Sequence, residues 1–171
     1  MPDLTPREWQ EPSALLPLRW GSYRFRYLAG LGLAIGGGLL VQVTSTYTLP
    51  ALPIGLFLHI LGWCILPGIG GRRVLAAAFS ALTTILLLNG ATSMVYLIMP
   101  LAAWLFLRQR PIVSYSVLIV PAASAYIVAQ AFSEYGWGSL VLTISLAVLT
   151  AAAWLGRSLA VISRQGTGKS R

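Results

Sequence analysis

Residues 74–107 read VLAAAFSALTTILLLNGATSMVYLIMPLAAWLFL and carry no charged side chain over 34 positions. A single helix of this length would extend about 51 Å at 1.5 Å per residue, whereas the hydrocarbon core of a bilayer is about 30 Å thick. The segment must therefore turn, and the Asn89-Gly90 dipeptide near its middle is a typical turn signal. We predict two membrane-spanning helices here, over residues 73–88 and 92–107, with a kink at Pro100.

The rest of the chain contains four more apolar segments, at residues 27–43, 51–66, 112–132 and 139–157. Apolar residues make up 57% of the chain and charged residues 9%, against about 45–50% and about 25% in soluble domains. Too few charges remain to cover a soluble surface. We therefore predict an all-α polytopic membrane protein with six transmembrane helices and short loops over residues 27–163. Residues 1–26 would form a cytoplasmic or interfacial segment, and residues 164–171 a flexible cytoplasmic tail.

Basic residues occupy every second gap between these six apolar segments. They are Arg7, Arg19, Arg24, Arg26, Arg72, Arg73, Arg108, Arg110, Arg157, Arg164, Lys169 and Arg171. Loops rich in Lys and Arg stay on the cytoplasmic side of a membrane. The pattern predicts that both termini are cytoplasmic and that the protein resides in the cell membrane. One continuous helix over residues 74–107 would break this alternation.

The net charge of +8 does not indicate a nucleic-acid-binding surface, because the basic residues are spread over four short segments. The expected counter-charge is anionic lipid headgroups at the cytoplasmic face, at about 1 kcal/mol per basic residue. We expect no cofactor and no metal site. The chain has one His, one Cys and four acidic residues, and three of those acids precede the first span, so no usual ligand set can form.

His59 is the single histidine and lies near the middle of the second span. It shares a helical stripe with Gly55, Gly62 and Trp63, so its side chain should face other helices. An ionisable residue inside a membrane is by default a candidate for function, which makes His59 a candidate ligand-binding residue. The alternative is a neutral imidazole that is hydrogen-bonded to a hydroxyl of a neighbouring helix. The candidate hydroxyls are those of Ser80, Thr84 and Ser124.

The remaining gaps are polar but almost uncharged. Amide and phenol side chains lie near the predicted outer ends of the spans, at Gln42, Asn89, Tyr96 and Gln130. If these ends converge, the side chains would line an outward-facing cup suited to a small polar or amphipathic ligand. The alternative is that helix ends are polar wherever they meet water. Glu134, at the outer end of the fifth span, joins the ligand-binding candidates, and a solvated loop charge is its alternative role.

Gly32-x-x-x-Gly36 in the first span is a motif that lets a neighbouring helix approach closely. The motif would act within the chain or against another subunit. Gly32 and Gly36 are therefore candidate interaction residues for a second copy of the chain or for a partner membrane subunit.

These patterns predict a multi-pass membrane protein that serves as a small transport-related solute-binding component or subunit. The alternative is a structural or assembly partner of another membrane protein, which it would bind through its glycine-rich first helix. We do not expect an enzyme. A lipid-acting intramembrane enzyme would depend on His59 alone, because no acid that could orient the imidazole is visible at that depth.

Overall fold

The described part of the chain is helical and contains no strand. The computed structural model describes residues 21–132 and 137–168, and within them six α-helices follow one another. They are α1 (Tyr23–Gln42), α2 (Ala51–Ile65), α3 (Gly70–Leu86), α4 (Ile98–Leu107), α5 (Ile119–Ala131) and α6 (Gly138–Gly168). The predicted all-α class is confirmed. The backbone of α6 is helical to Gly168, and the flexibility expected from residue 164 stays a prediction.

Several helical segments have the length and apolar composition of membrane spans. Four are long enough by themselves: Tyr23–Gln42, Gly70–Asn89, Ile112–Ala131 and Gly138–Ser163. Two apolar segments are shorter: Ala51–Ile65 and Thr92–Leu107. The chain is therefore consistent with a multi-pass membrane protein, and all six segments overlap the apolar runs recognised in the sequence.

Residues 74–107 turn at the expected dipeptide. α3 tightens into a 3₁₀ segment, Leu87–Asn89, and the chain then reverses at Gly90. The φ angle of Gly90 is 90°, in the left-handed region that side chains other than glycine rarely adopt. The Asn89-Gly90 turn is thus a consequence of local backbone chemistry.

Two further 3₁₀ segments lead into the helices that carry an early proline. Ala91–Leu97 precedes α4, and Ile112–Leu118 precedes α5. Pro100 and Pro121 are each the third residue of the α-helix, where a missing N–H is tolerated. Because the proline ring excludes the carbonyl four residues earlier, the preceding turns tighten into i→i+3 bonds. The change from 3₁₀ to α geometry thus occurs two residues before Pro100, and the kink expected there stays a prediction.

α1 and α2 pack backbone to backbone through two glycine pairs. A Cβ atom placed on Gly37 would lie 2.5 Å from the carbonyl oxygen of Gly55, and one placed on Gly62 would lie 2.6 Å from the carbonyl oxygen of Gly30. Within each helix the two glycines are seven residues apart, which is two helical turns on one face. Only glycine permits this separation, as is usual for closely packed membrane helices.

The other helices extend this pair in chain order. α3 packs on α2 and on α4, the 3₁₀ segment Ala91–Leu97 packs on α5, and α6 packs on Ile112–Leu118 and on α5. One apolar cluster contains residues from the first four helices, α1, α2, α3 and α4. Its buried members are Ala34, Trp63, Leu66, Ala76, Ala77, Ala103 and Leu107. α1 and α3 therefore both pack against α2, which carries His59.

Candidate functional site

His59 points into the bundle, as the stripe in the sequence predicts. Within α2 the buried residues are Gly55, His59, Gly62 and Trp63, which are the four members of that stripe. Their separations of three and four residues place them on the face that meets α1 and α3. The histidine is 7% exposed, so its polar atoms need partners from the protein.

Both ring nitrogens of His59 have such partners. Nδ1 lies 2.6 Å from the carbonyl oxygen of Ala34 on α1, and a carbonyl only accepts, so Nδ1 carries the proton and donates. Nε2 lies 3.2 Å from Trp63 Nε1, and an indole N–H only donates, so Nε2 is the acceptor. These two contacts together select the neutral imidazole that is protonated at Nδ1.

Hydroxyls of α3 complete the environment of Nε2. Ser80 Oγ lies 2.8 Å from Nε2 and Thr84 Oγ1 lies 3.4 Å from it. The single proton of the Thr84 hydroxyl is donated to the carbonyl oxygen of Ser80 at 2.9 Å, so it is the Ser80 hydroxyl that donates to the imidazole. Two of the three hydroxyls considered from the sequence thus surround His59. The third, Ser124, instead donates to the carbonyl oxygen of Pro121 in its own helix at 3.0 Å.

Through these hydrogen bonds His59 connects α2 to both α1 and α3. A serine hydroxyl that donates to a histidine nitrogen also resembles a nucleophile and its base. Here, however, Trp63 occupies the same nitrogen, Ser80 is 1% exposed, and a backbone carbonyl takes the place of an orienting acid. Both ring nitrogens of His59 are therefore hydrogen-bonded within the protein.

At the polar end of the bundle, the amide side chains of Gln42 and Asn89 bind backbone carbonyls. Gln42, the last residue of α1, donates from Nε2 to the carbonyl oxygen of Thr84 on α3 at 3.0 Å. Asn89 donates from Nδ2 to the carbonyl oxygen of Leu86 at 3.1 Å. Both amides satisfy backbone carbonyls near the end of α3, where the last turn of a helix lacks internal donors.

Asn89, Tyr96 and Gln130 are the candidates at the outer helix ends that remain exposed. Tyr96 is 37% exposed, and Gln130 lies on the exposed side of α5 one residue before its end. The segment Ala91–Leu97, which carries Tyr96, packs against α5. Glu134, the fifth candidate at the outer helix ends, lies outside the described residues.

Gly32 and Gly36 lie on the outer face of α1. A Cβ atom placed on either glycine would meet nothing within 4 Å, in contrast to Gly30 and Gly37. The glycines that hold α1 against α2 are thus a different pair from the motif singled out in the sequence. The equal seven-residue intervals between Gly30 and Gly37 and between Gly55 and Gly62 were the signal that the sequence carried for this contact.

Arginines gather at the opposite end of the bundle and bind helix ends. Arg26 of α1 donates from Nε to the carbonyl oxygen of Ile65 at 3.1 Å, and Arg73 of α3 donates from Nη1 to that of Cys64 at 2.9 Å. Arg72 donates from Nη1 to the carbonyl oxygen of Phe106 at 3.1 Å. The guanidinium groups therefore bind carbonyls in the last turns of α2 and α4, where a cation also opposes the negative end of the helix dipole.

Aromatic rings surround Arg108, the first of the two arginines in the loop between α4 and α5. Arg108 donates from Nη1 to the hydroxyl of Tyr23 at 2.6 Å. Its guanidinium carbon lies 4.4 Å from the centroid of Tyr27 and 5.1 Å from that of Trp104, within the range of cation–π attraction. Rings and guanidinium groups in this combination suit the headgroup layer of a membrane. The sequence shows the residue types but not that α1 and the later loop meet.

Comparisons of the chain with protein-family models, with curated proteins and with solved structures gave no match.

Proposed function

We propose that the protein crosses the cell membrane six times, with both termini on the cytoplasmic side. A count of six requires that the two shorter segments, Ala51–Ile65 and Thr92–Leu107, also cross the membrane. The 15 residues of α2 extend about 22 Å, so the bilayer would thin locally around them. Ala91–Leu97 has seven residues at about 2.0 Å each and α4 has ten at about 1.5 Å, so together they extend about 29 Å, close to the hydrocarbon thickness of about 30 Å.

The arginine contacts support an even number of crossings between the basic gaps. Arg26 near the start of α1 contacts the end of α2, and Arg72 near the start of α3 contacts the end of α4. Each of these helix pairs leaves one end of the bundle and returns to it. The positive-inside rule assigns that end to the cytoplasm.

Single cysteines in a Cys64→Ser background test this orientation. Thr46→Cys, in the exposed loop between α1 and α2, should react with a membrane-impermeant maleimide that is added to intact cells. Gly71→Cys, beside the arginines in the first turn of α3, should react only after permeabilisation. A Cβ atom at position 71 meets nothing within 4 Å, so this change should leave the fold intact. External labelling of Gly71→Cys would overturn the orientation.

We further propose that the protein binds a small uncharged polar solute at the end opposite the arginines, as a component of a transport system. The proposal draws on one observation: amides and hydroxyls, rather than charges, occupy the described part of this end. Since the amides of Gln42 and Asn89 bond to the backbone, Tyr96 and Gln130 are the candidate contacts. A bundle of this size would need a second copy or another subunit to move a solute across the membrane.

Thermal stabilisation of the purified protein by glucose, glycerol and inositol tests solute binding. We expect at least one of these probes to raise the unfolding temperature of the wild type. For Gln130→Ala or Tyr96→Phe, about ten times the probe concentration should be needed for the same stabilisation, since each substitution removes a hydrogen bond to the solute. Gln42→Leu is unsuitable for this test because its amide supports the contact between α1 and α3. If no probe stabilises the protein, or if both variants respond like the wild type, the proposal is wrong.

A second candidate function is assembly with another membrane protein through the outer face of α1. It is favoured by the exposed positions of Gly32 and Gly36, which leave space for another helix. Replacing both glycines by leucine should then abolish a complex seen by native mass spectrometry in mild detergent, while the stability of the monomer is retained. A complex that survives this double substitution would exclude the role for α1.

A further inference from the structure

An apolar groove lies between α3 and α4 at the end of the bundle that carries the arginines. Its volume is about 400 Å³, and its walls include Leu75, Ala76 and Phe79 of α3 with Met99, Ala102 and Phe106 of α4. Pockets that hold small molecules have volumes of about 300–1,000 Å³. Ala76 is 1% exposed and forms the floor, whereas Leu75 and Phe79 are each 51% exposed and form the rim. The groove therefore opens sideways, towards the surroundings of the bundle.

Polar groups lie at one end of this groove only. Arg72 donates to the carbonyl oxygen of Phe106, and its guanidinium carbon lies 4.6 Å from the centroid of the Phe106 ring. This contact uses Nη1, and a guanidinium has five N–H donors in all. Tyr115, from the 3₁₀ segment before α5, also lines the groove. An anion at this end would meet the N–H donors of Arg72.

The groove runs along the helices for about two turns. Leu75 is three residues beyond Arg72 on α3, and Phe79 is one turn further. On α4, Met99 and Phe106 are seven residues apart, a distance of about 10 Å at 1.5 Å per residue. A flexible hydrocarbon chain that enters beside Arg72 would thus cover apolar wall over its first 10 Å or so, directed towards the middle of the membrane.

We propose that this groove binds one acyl chain of an anionic phospholipid, whose phosphate accepts hydrogen bonds from Arg72. The occupant follows from the order of the contacts, because a cation at the mouth and an apolar wall beyond it match a molecule with an anionic head and a hydrocarbon tail. Charge complementarity supports the choice, since the described part of the chain contains no carboxylate and the arginines at this end include Arg26, Arg72, Arg73, Arg108 and Arg110. The site requires insertion in a membrane and is independent of solute binding at the other end.

Native mass spectrometry in mild detergent measures the lipid directly. The purified protein is titrated with dioleoyl phosphatidylglycerol or with dioleoyl phosphatidylcholine, and we expect one retained phosphatidylglycerol per chain in preference to phosphatidylcholine. Arg72→Gln should weaken this retention by about tenfold, because it removes a charge-assisted hydrogen bond. Arg157→Gln is the matched control: it removes one exposed charge at the same end, on α6, from a residue that does not line the groove, and should retain lipid like the wild type. Equal retention by the two variants would overturn the site.

A second variant tests the groove without a change of charge. Ala102→Phe places a ring in the groove and should also lower phosphatidylglycerol retention by about tenfold, while every arginine remains. The unfolding temperature of each variant is recorded, because Arg72 also binds the end of α4 and its loss could act through the fold. If Ala102→Phe is folded and retains phosphatidylglycerol like the wild type, the acyl chain lies elsewhere and the proposal is wrong.

Discussion

Gly37→Ala should separate α1 from α2 and lower the unfolding temperature of the protein in mild detergent by several degrees. The added Cβ atom would lie 2.5 Å from the carbonyl oxygen of Gly55 and closer still to the amide nitrogen of His59. Both are backbone atoms, so no side-chain rotation can relieve the contact. Overpacking of this kind costs about 1–3 kcal/mol, and a chain of this length loses about 2–4 °C per kcal/mol.

Gly36→Ala is the matched control for that substitution. It adds the same methyl group to the adjacent residue of the same helix, where the new Cβ atom meets nothing within 4 Å. Alanine is also the better helix former, so we expect unchanged or slightly higher stability. Equal unfolding temperatures for the two variants would show that α1 and α2 are not in contact through Gly37.

His59→Leu should destabilise the protein by about 1–3 kcal/mol, although leucine is apolar and the site is buried. The substitution leaves the indole N–H of Trp63 and the hydroxyl of Ser80 without their acceptor. An unsatisfied buried donor costs about 1–3 kcal/mol, and interhelical hydrogen bonds in membranes contribute about 0.6–2 kcal/mol. The measurement is reversible unfolding in detergent, with the free energy compared between variants.

A double-mutant cycle separates the hydrogen bond from the change in packing. Ser80→Ala is combined with His59→Leu, and we expect the double variant to be more stable than the sum of the two single effects by about 0.5 kcal/mol or more. Ser124→Ala serves as the control, because its hydroxyl bonds only within its own helix and should show no coupling to His59. Strict additivity for His59 and Ser80 would contradict the contact.

Local chemistry accounts for the parts of the fold that could be predicted. The apolar runs placed all six helices, and Asn89-Gly90 placed the turn between the third and fourth. The orientation of His59 followed from helical periodicity, because one face of α2 carries small residues at intervals of three and four. These features depend on residues within a few turns of each other. By the same reasoning two of the three hydroxyls proposed as neighbours of His59 were identified, but not which one donates to it.

Contacts between distant segments were not predictable in this way. Gly32 and Gly36 have the familiar four-residue spacing, but the glycines of α1 that contact α2 are Gly30 and Gly37, and the hydrogen bond from Gln42 to α3 was not predicted. Both outcomes depend on the rotation of α1 about its own axis. That rotation is set by the second glycine surface, on α2, which lies more than ten residues away along the chain.

The sequence by itself determined that the described part of the chain is helical, which six segments contain the helices, and which gaps carry the charge. Apolar length, proline and glycine act on the backbone nearby, so no knowledge of the neighbours is needed. Only the tertiary structure decided which glycines touch, which carbonyls the arginines bind, and that α3 and α4 leave an open groove beside Arg72. Those features require the register and rotation of one helix against another, and these are determined by packing over the whole bundle.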